Sequence, residues 1–316
     1  MRAYLDFEKP VAELEAKIDE LRAVDMSKSG DLGEEIERLE AKATEALREV
    51  YAQLSPWQKM QVARHPQRPH CLDFAKGLIQ DFTPLAGDRK FGEDEAVVCG
   101  LGRFRGEPIC LIGQEKGSTT EARLKHNFGM ARPEGYRKAA RMMELADRFD
   151  LPVIALIDTA GAFPGVEAEE RGQAEAIARS TDACLALGSP NIALIIGEGG
   201  SGGAVALATA NRVLMLEHAI YSVASPEAAA SILWHDSARA QEAASSMRMT
   251  AQDLIRLGVI DAIVSEPVGG AHRDPEATVK AAGDALAEQL EGLRGLDASA
   301  LRTQRADKFL AIGRRL

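Results

Sequence analysis

Cysteine is scarce in this 316-residue sequence: Cys71, Cys99, Cys110 and Cys184 are the only four, and none are spaced C-x-x-C. That spacing excludes a zinc knuckle and a redox pair, and the apolar runs around each thiol predict buried, reduced side chains. Basic charge is also short. Lys and Arg number 38 against 48 Asp and Glu, a net charge of −10, the wrong sign for a chain that wraps phosphate backbones. The first ten residues are acidic and lack the apolar core of a signal peptide, which sets the expectation of a cytoplasmic protein. No stretch reaches the ~18 apolar residues of a membrane span; the uncharged run 183–197 is broken by Gly188, Ser189 and Pro190.

What is present is typical of folded domains: 46% hydrophobic and 27% charged residues, in a length that suits one large domain or about two of ~150 residues. Charge is uneven. Residues 1–50 carry 14 acidic and 8 basic side chains, whereas Lys116–Arg148 carries 8 basic and 4 acidic, so one inner segment is expected to meet anions. Val11, Leu14, Ile18 and Leu21, then Ile36, Leu39, Ala43, Ala46, Leu47, Val50 and Leu54, recur at helical spacing around a turn-rich break at Ser27–Gly33. This predicts an α-helical hairpin whose thin apolar stripe needs cover from the chain's body or from a partner. Ser55-Pro56 reads as N-cap and first residue of a third helix, stopped before Pro66 and Pro69. These elements make an N-terminal helical region, residues 1–90, ahead of a second domain, residues 91–316.

In that second domain Ala96–Phe104 and Ile109–Gln114 read as a β-hairpin around Arg105-Gly106. Pro133–Phe149 reads as a helix, Val153–Ile157 as a buried strand, Glu169–Leu187 as a helix, Ile192–Ile196 as a buried strand and Gly202–Ala210 as a helix. Strands follow at Val213–Leu216 and Ile220–Val223, helices at Pro226–Trp234 and Ala251–Leu257, and C-terminal helices at Pro275–Leu293 and Ala298–Ile312. Alternating strands and helices imply an α/β layer with a largely parallel sheet.

Both central strands run into glycine turns, Asp158–Gly165 and Gly197–Gly203, at the sheet end where α/β folds bind ligands. Gly197–Gly203 lacks the Lys-Ser/Thr of a phosphate loop. It matches G-x-G-x-x-G literally, without an acidic ribose partner at the expected distance. It also matches G-x-S-x-G around Ser201, with His218, His235 or His272 as bases and Asp261 as orienter of a nucleophile elbow. The fourth reading is a backbone oxyanion hole, in which N–H groups at a helix N-terminus stabilise developing negative charge.

Several stretches resemble the α-subunit family of bacterial acetyl-CoA carboxylase carboxyltransferase. They are Asn127–Met130, Pro133–Ala139, Asp158–Gly165, Glu169–Gln173, Gly197–Ala204, Ser225–Glu227, Ser231–Trp234, Ala63–Pro69 and Gly269–Arg273. The likeness covers almost the whole chain and departs at Ala160. It implies a crotonase-like (ClpP/crotonase) spiral of ββα units with the N-terminal hairpin and C-terminal helices appended. It also implies a transferase for fatty-acid synthesis: carboxybiotin on a separate carrier protein gives its carboxyl group to acetyl-CoA, forming malonyl-CoA. The implied partners are a β subunit in an α₂β₂ heterotetramer, the biotin carboxyl carrier protein and biotin carboxylase. Zinc is expected only on the β subunit, and this chain has neither a Met-Lys-Met biotin site nor an ATP loop.

On this reading the Gly202 and Gly203 N–H groups are catalytic donors to the biotin ureido oxygen. Gly161, Gly199, Gly200 and Arg137 bind substrate, Arg137 by gripping the transferred carboxylate. The plainer alternatives are helix–strand packing for the glycines and a salt bridge for Arg137. Competing functions are a stand-alone acyl-CoA hydratase or hydrolase of the same fold, and a scaffold subunit without catalysis.

Overall fold

The computed structural model describes residues 2–23 and 30–314. Lys9–Ala23 (α1) and Gly30–Ala52 (α2) pair as the expected hairpin. Residues 30–33, read as part of the break, are already helical, and 27–29 lie outside the described residues. The apolar stripes cover each other, with Ile18 against Ile36, Leu39 and Ala43 near the tip. At the base, Val11, Leu47 and Tyr51 meet Val62. The chain's own body grips that base, because Arg273 pairs with Glu8 at 3.3 Å and Glu15 at 2.6 Å.

Pro56–Ala63 (α3) starts as its sequence dictates: Ser55 Oγ accepts from the Gln58 N–H, and Gln58 Oε1 accepts from the Ser55 N–H. Within residues 1–90, expected as a helical hairpin plus short helices, the chain also forms a strand. Cys71–Leu78 (α4) leads directly into Ile79–Pro84 (β1), which pairs antiparallel with Val97–Phe104 (β2). An edge strand with one neighbour can end in proline, and its exposed side chains hide the alternation that betrays a strand. The expected hairpin joins β2 to Glu107–Gln114 (β3) through Arg105 and Gly106, both at positive φ.

Thr120–Lys125 (α5) and Pro133–Arg148 (α6) cross over to Val153–Thr159 (β4), parallel to β3. The helix expected at 169–187 is two, Val166–Glu170 (α7) and Gln173–Ala186 (α8), divided where Gly172 takes φ 81°. Asn191–Gly200 (β5) and Ser201–Ala208 (α9) follow, then Arg212–Leu216 (β6) and Ile220–Ser222 (β7). Pro226–Trp234 (α10), Ala240–Ser246 (α11), Ala251–Arg256 (α12) and the short Ala262–Val264 (β8) lead to Pro275–Glu291 (α13) and Ala298–Ala311 (α14).

The sheet runs β1-β2-β3-β4-β5-β6-β8, parallel from β3 onward, with β7 pairing the far end of β5. Every residue of β4 and β5 is buried, as continuous apolar runs in a covered parallel sheet require. α14 is pinned by Arg305, fully buried, which donates to the carbonyls of Leu185, Leu187 and Ser189 and to the side-chain oxygens of Asn191 and Asn211. The tail therefore packs on this chain. No helix of the described residues is long and apolar enough to cross a membrane.

Candidate active site

The two glycine turns meet where β4 and β5 end. Thr159 Oγ1 ties the first turn, donating to the Gly161 carbonyl at 2.7 Å and accepting from the Gly161 N–H at 3.1 Å. The Phe163 N–H donates to Ala131 O, and Gln173 Nε2 donates to both Ala131 O and Phe163 O. Gly161 takes φ 148°, a conformation other residues rarely adopt. Its N–H is committed to Thr159, whereas the next one, the Ala162 N–H, has no acceptor among the described residues.

The second turn presses against the first, backbone to backbone. A Cβ on Gly200 would collide with the Ala160 carbonyl, and one on Gly203 would lie 2.8 Å from Gly161 C and 2.9 Å from Ala162 N. These glycines are required by turn-to-turn contact. Gly199 is held in the same way beneath the Tyr221 ring, 2.9 Å from its Cβ position. Gly199 and Gly200 are both buried in these contacts. Gly202 is half-buried and has room, its Cβ position 3.6 Å from the Ile177 side chain.

Side chains of Ser55, Thr119, Ser225, Thr250, Asp274 and Asp297 cap six helices, whereas α9, like α6, α7, α8 and α11, begins with no side-chain cap. The first-turn N–H groups of Ser201, Gly202 and Gly203, which have no intrahelical acceptor, therefore receive none from a capping side chain either, and the positive dipole end of α9 reinforces them. Beside them, the Tyr136 hydroxyl lies 3.0 Å from the Gly203 Cβ position, fully buried and with no hydrogen-bond partner among the described residues. Burial and the nearby Asp94 push its pKa up, so the phenol stays neutral.

A buried ionic network underlies the turns. Asp158 Oδ1 accepts from the Glu198 N–H at 2.9 Å, and Lys116 bridges Asp158 at 2.8 Å and Glu198 at 2.6 Å. Arg64 extends the network from Glu198 to Glu227, and His70 Nδ1 approaches Asp158 at 3.3 Å. Burial alone would raise the pKa of Asp158, but the Lys116 ammonium and the His70 hydrogen bond outweigh it and hold the carboxyl well below its usual range. Lys116 and Arg64 likewise lower Glu198 against its burial. Both carboxylates stay charged.

Arg137 does not reach the turns as a free fork. Its Nε donates to Asp88 at 2.7 Å, Nη1 to the Arg171 carbonyl at 3.1 Å and Nη2 to Glu134 at 2.8 Å, with the side chain only 9% exposed. The basic segment around it meets the protein's own carboxylates: Lys138 pairs with Glu93, and Lys125 with Glu95 at 3.2 Å.

Ser201 takes φ 52°, the strained strand-to-helix turn of a nucleophile elbow. The residues that would activate it are elsewhere. His272 stacks on His65 at 3.7 Å, His218 packs edge-on to Tyr51, His235 ends α10, and Asp261 pairs with Lys308. Among the described residues no group of three or more His, Cys, Asp or Glu is arranged to hold a metal. What remains is a set of backbone donors from two turns, able to stabilise an oxyanion without titrating. The sequence pointed to Gly202 and Gly203 but not to the Ala162 N–H or the Tyr136 hydroxyl, because a peptide donor carries no residue-type signal.

Residues 4–313 match the family model for acetyl co-enzyme A carboxylase carboxyltransferase-like proteins. A Methylobacterium nodulans protein named acetyl-coenzyme A carboxylase carboxyl transferase subunit alpha is 74% identical over 317 residues, covering 100% of both chains. A Xanthobacter autotrophicus protein of the same name is 72% identical over 319 residues, again covering 100% of both. Among solved structures, transcarboxylase 12S aligns with a TM-score of 0.54 at 19% identity, over 66% of this chain and 40% of that one. The geranyl-CoA carboxylase β subunit of P. aeruginosa aligns at 0.58 and 18% identity, over 78% and 46%. Both likenesses agree with the fold expected from sequence. The chain belongs to the acetyl-CoA carboxylase carboxyltransferase α-subunit family.

Proposed function

We propose that this carboxyltransferase subunit contributes one half of a shared active site, the half that stabilises the ureido oxygen of biotin. The observation that carries the reading is the uncapped N-terminus of α9 set against the Ala162 turn. Carboxybiotin, delivered as substrate on a carrier protein, supplies the activated carboxyl group, and losing it leaves negative charge on the ureido oxygen. The Gly202 and Gly203 N–H groups donate to that oxygen, with the Ala162 N–H beside them. Such preorganised donors are worth about 3 kcal/mol each where charge develops. No side-chain base of this chain is required, which fits a Ser201 that has no hydrogen bond to a histidine among the described residues.

Acetyl-CoA, on this reading, is held by the β subunit, where zinc is also expected, and the complex is an α₂β₂ heterotetramer joined by biotin carboxylase and the carrier protein. Exposed apolar side chains around α10 support a protein partner beside the site: Val223 is 85%, Ile232 71% and Leu233 65% exposed. The buried thiols of Cys71, Cys99, Cys110 and Cys184, all with raised pKa values from burial, suit the cytoplasm. A structure of the assembled complex with biotin tests the reading. The ureido oxygen is expected about 3 Å from the Gly203 and Ala162 nitrogens; an oxygen held only by partner residues would overturn it.

A further inference from the structure

Gln114, the last residue of β3, was read from sequence only as the end of an apolar strand. It is fully buried, and both ends of its amide are used. Oε1 accepts from the Asp158 N–H at 3.2 Å, and Nε2 donates to the Gly203 carbonyl at 2.7 Å. One side chain thus joins the end of β4 to the first turn of α9.

Its position explains why a side chain is used there. The β3–β4 ladder runs from Cys110 with Val153 to Gly113 with Leu156 and stops. The β4–β5 register shifts between Ile157 and Thr159, so Asp158 sits at an irregularity. Between Ile157 and Thr159, until the ladder resumes with Thr159 paired to Gly199, ladder hydrogen bonds do not tie β4 to β5. Side chains take over: Gln114 for the Asp158 N–H, Asp158 Oδ1 for the Glu198 N–H, and Lys116 between the two carboxylates. Of these groups Gln114 alone bonds to Gly203 itself.

We propose that Gln114 is a positioning residue for carboxyl transfer, fixing the first turn of α9 against β4 so that the oxyanion donors of both turns converge. The inference rests on the oxyanion reading above. Donors of this kind act only when they lie within tenths of an ångström of where charge develops. A tether on the Gly203 carbonyl controls that placement, although Gln114 touches no substrate.

The test is Gln114→Met in the complex with the β subunit, a near-isosteric change that leaves no buried charge. Expected are a 10- to 100-fold fall in kcat, a KM for acetyl-CoA within about twofold of wild type, and an assembled complex by sizing. Gln114→Asn keeps an amide that is one methylene too short to span both partners and should also be slow; it carries the test should the Met variant fail to assemble. Wild-type kcat in an assembled variant would overturn the proposal. So would a fall in rate matched by loss of assembled complex in both variants, or a change confined to KM. If the wild-type complex transfers carboxyl groups and Gly203→Ala does not, the oxyanion reading stands whichever way Gln114 behaves. A wild-type complex without transfer would overturn that reading, and this inference with it.

Discussion

Replacing Gly203 by alanine adds a single carbon, and the geometry fixes where that carbon goes. It would lie 2.8 Å from Gly161 C and 2.9 Å from Ala162 N, about 0.6 Å inside ordinary contact at 3.4 Å, and 3.0 Å from the Tyr136 hydroxyl. Two of these three neighbours are backbone atoms of a turn already tied down by Thr159 and Gln173. Relief must therefore come from separating the two turns by several tenths of an ångström, the displacement that damages an oxyanion donor. Loss of one such donor costs about 10²- to 10³-fold in kcat, roughly 2.7–4 kcal/mol. Gly202→Ala is the internal control, because its Cβ meets only the Ile177 side chain at 3.6 Å; at most about a tenfold loss is expected there, under 1.4 kcal/mol. The assay is transfer from carboxybiotin to acetyl-CoA by complexes shown by sizing to be assembled, with kcat and the KM for acetyl-CoA measured separately. Wild-type kcat in Gly203→Ala, or a larger loss in Gly202→Ala than in Gly203→Ala, would refute the reasoning.

Ser201→Ala should keep at least about a tenth of the activity, since a lost hydroxyl bond is worth ~1 kcal/mol, and Ser201 should resist a fluorophosphonate; stoichiometric labelling would revive the elbow. Arg137→Ala removes a charged hydrogen-bond donor from the buried Asp88, which keeps the Lys90, Phe91 and Gly92 N–H groups, and from Glu134, which keeps Arg171. The expected cost is about 1.5–3 kcal/mol, seen as a lower Tm, with activity falling only as folded complex is lost. A selective rise in the KM for carboxybiotin would instead return Arg137 to substrate binding. His272 is pushed down to about 3 by burial, His65, Arg68 and Arg273. The unfolded chain, with a histidine pKa of about 6.5, binds more protons between those values, so stability should fall as pH drops below about 6.5, by at most ~1.4 kcal/mol per pH unit from this group. His272→Gln should flatten the dependence of Tm on pH between 6.5 and 4.5; an unchanged slope would show that other groups set it.

The elements legible in the sequence were those with uniform surroundings. Ile154–Ile157 and Ile192–Ile196 are apolar because both sheet faces are covered, and the hairpin helices keep their stripe because they cover each other. β1 was hidden by the exposed residues of an edge strand, and the α7–α8 break by a single glycine in an otherwise helical pattern. At the site, the glycine turns announced themselves, but the reason for each glycine did not. Gly203 has no positive φ, and its missing Cβ makes room for the neighbouring turn, whereas the positive φ falls on Ser201 and Gly161. The roles of Gln114 and Lys116 went unread because polar residues at and just past a strand's end have no periodicity and their partners are remote. Gly203 is 89 residues from Gln114, and Glu198 is 82 from Lys116. The positive segment Lys116–Arg148 illustrates the same limit: its charge excess was visible, whereas the carboxylates of Asp88, Glu93, Asp158 and Glu198 that answer it come from elsewhere in the chain.

The central claim is that this chain holds half of a carboxyl-transfer site and that the partner holds the rest. Single-turnover formation of malonyl-CoA from carboxybiotin and acetyl-CoA, measured with this chain alone, the β subunit alone and the two mixed, tests it most directly. The account predicts essentially no product from either chain alone and full turnover on mixing; full activity from this chain by itself would contradict it.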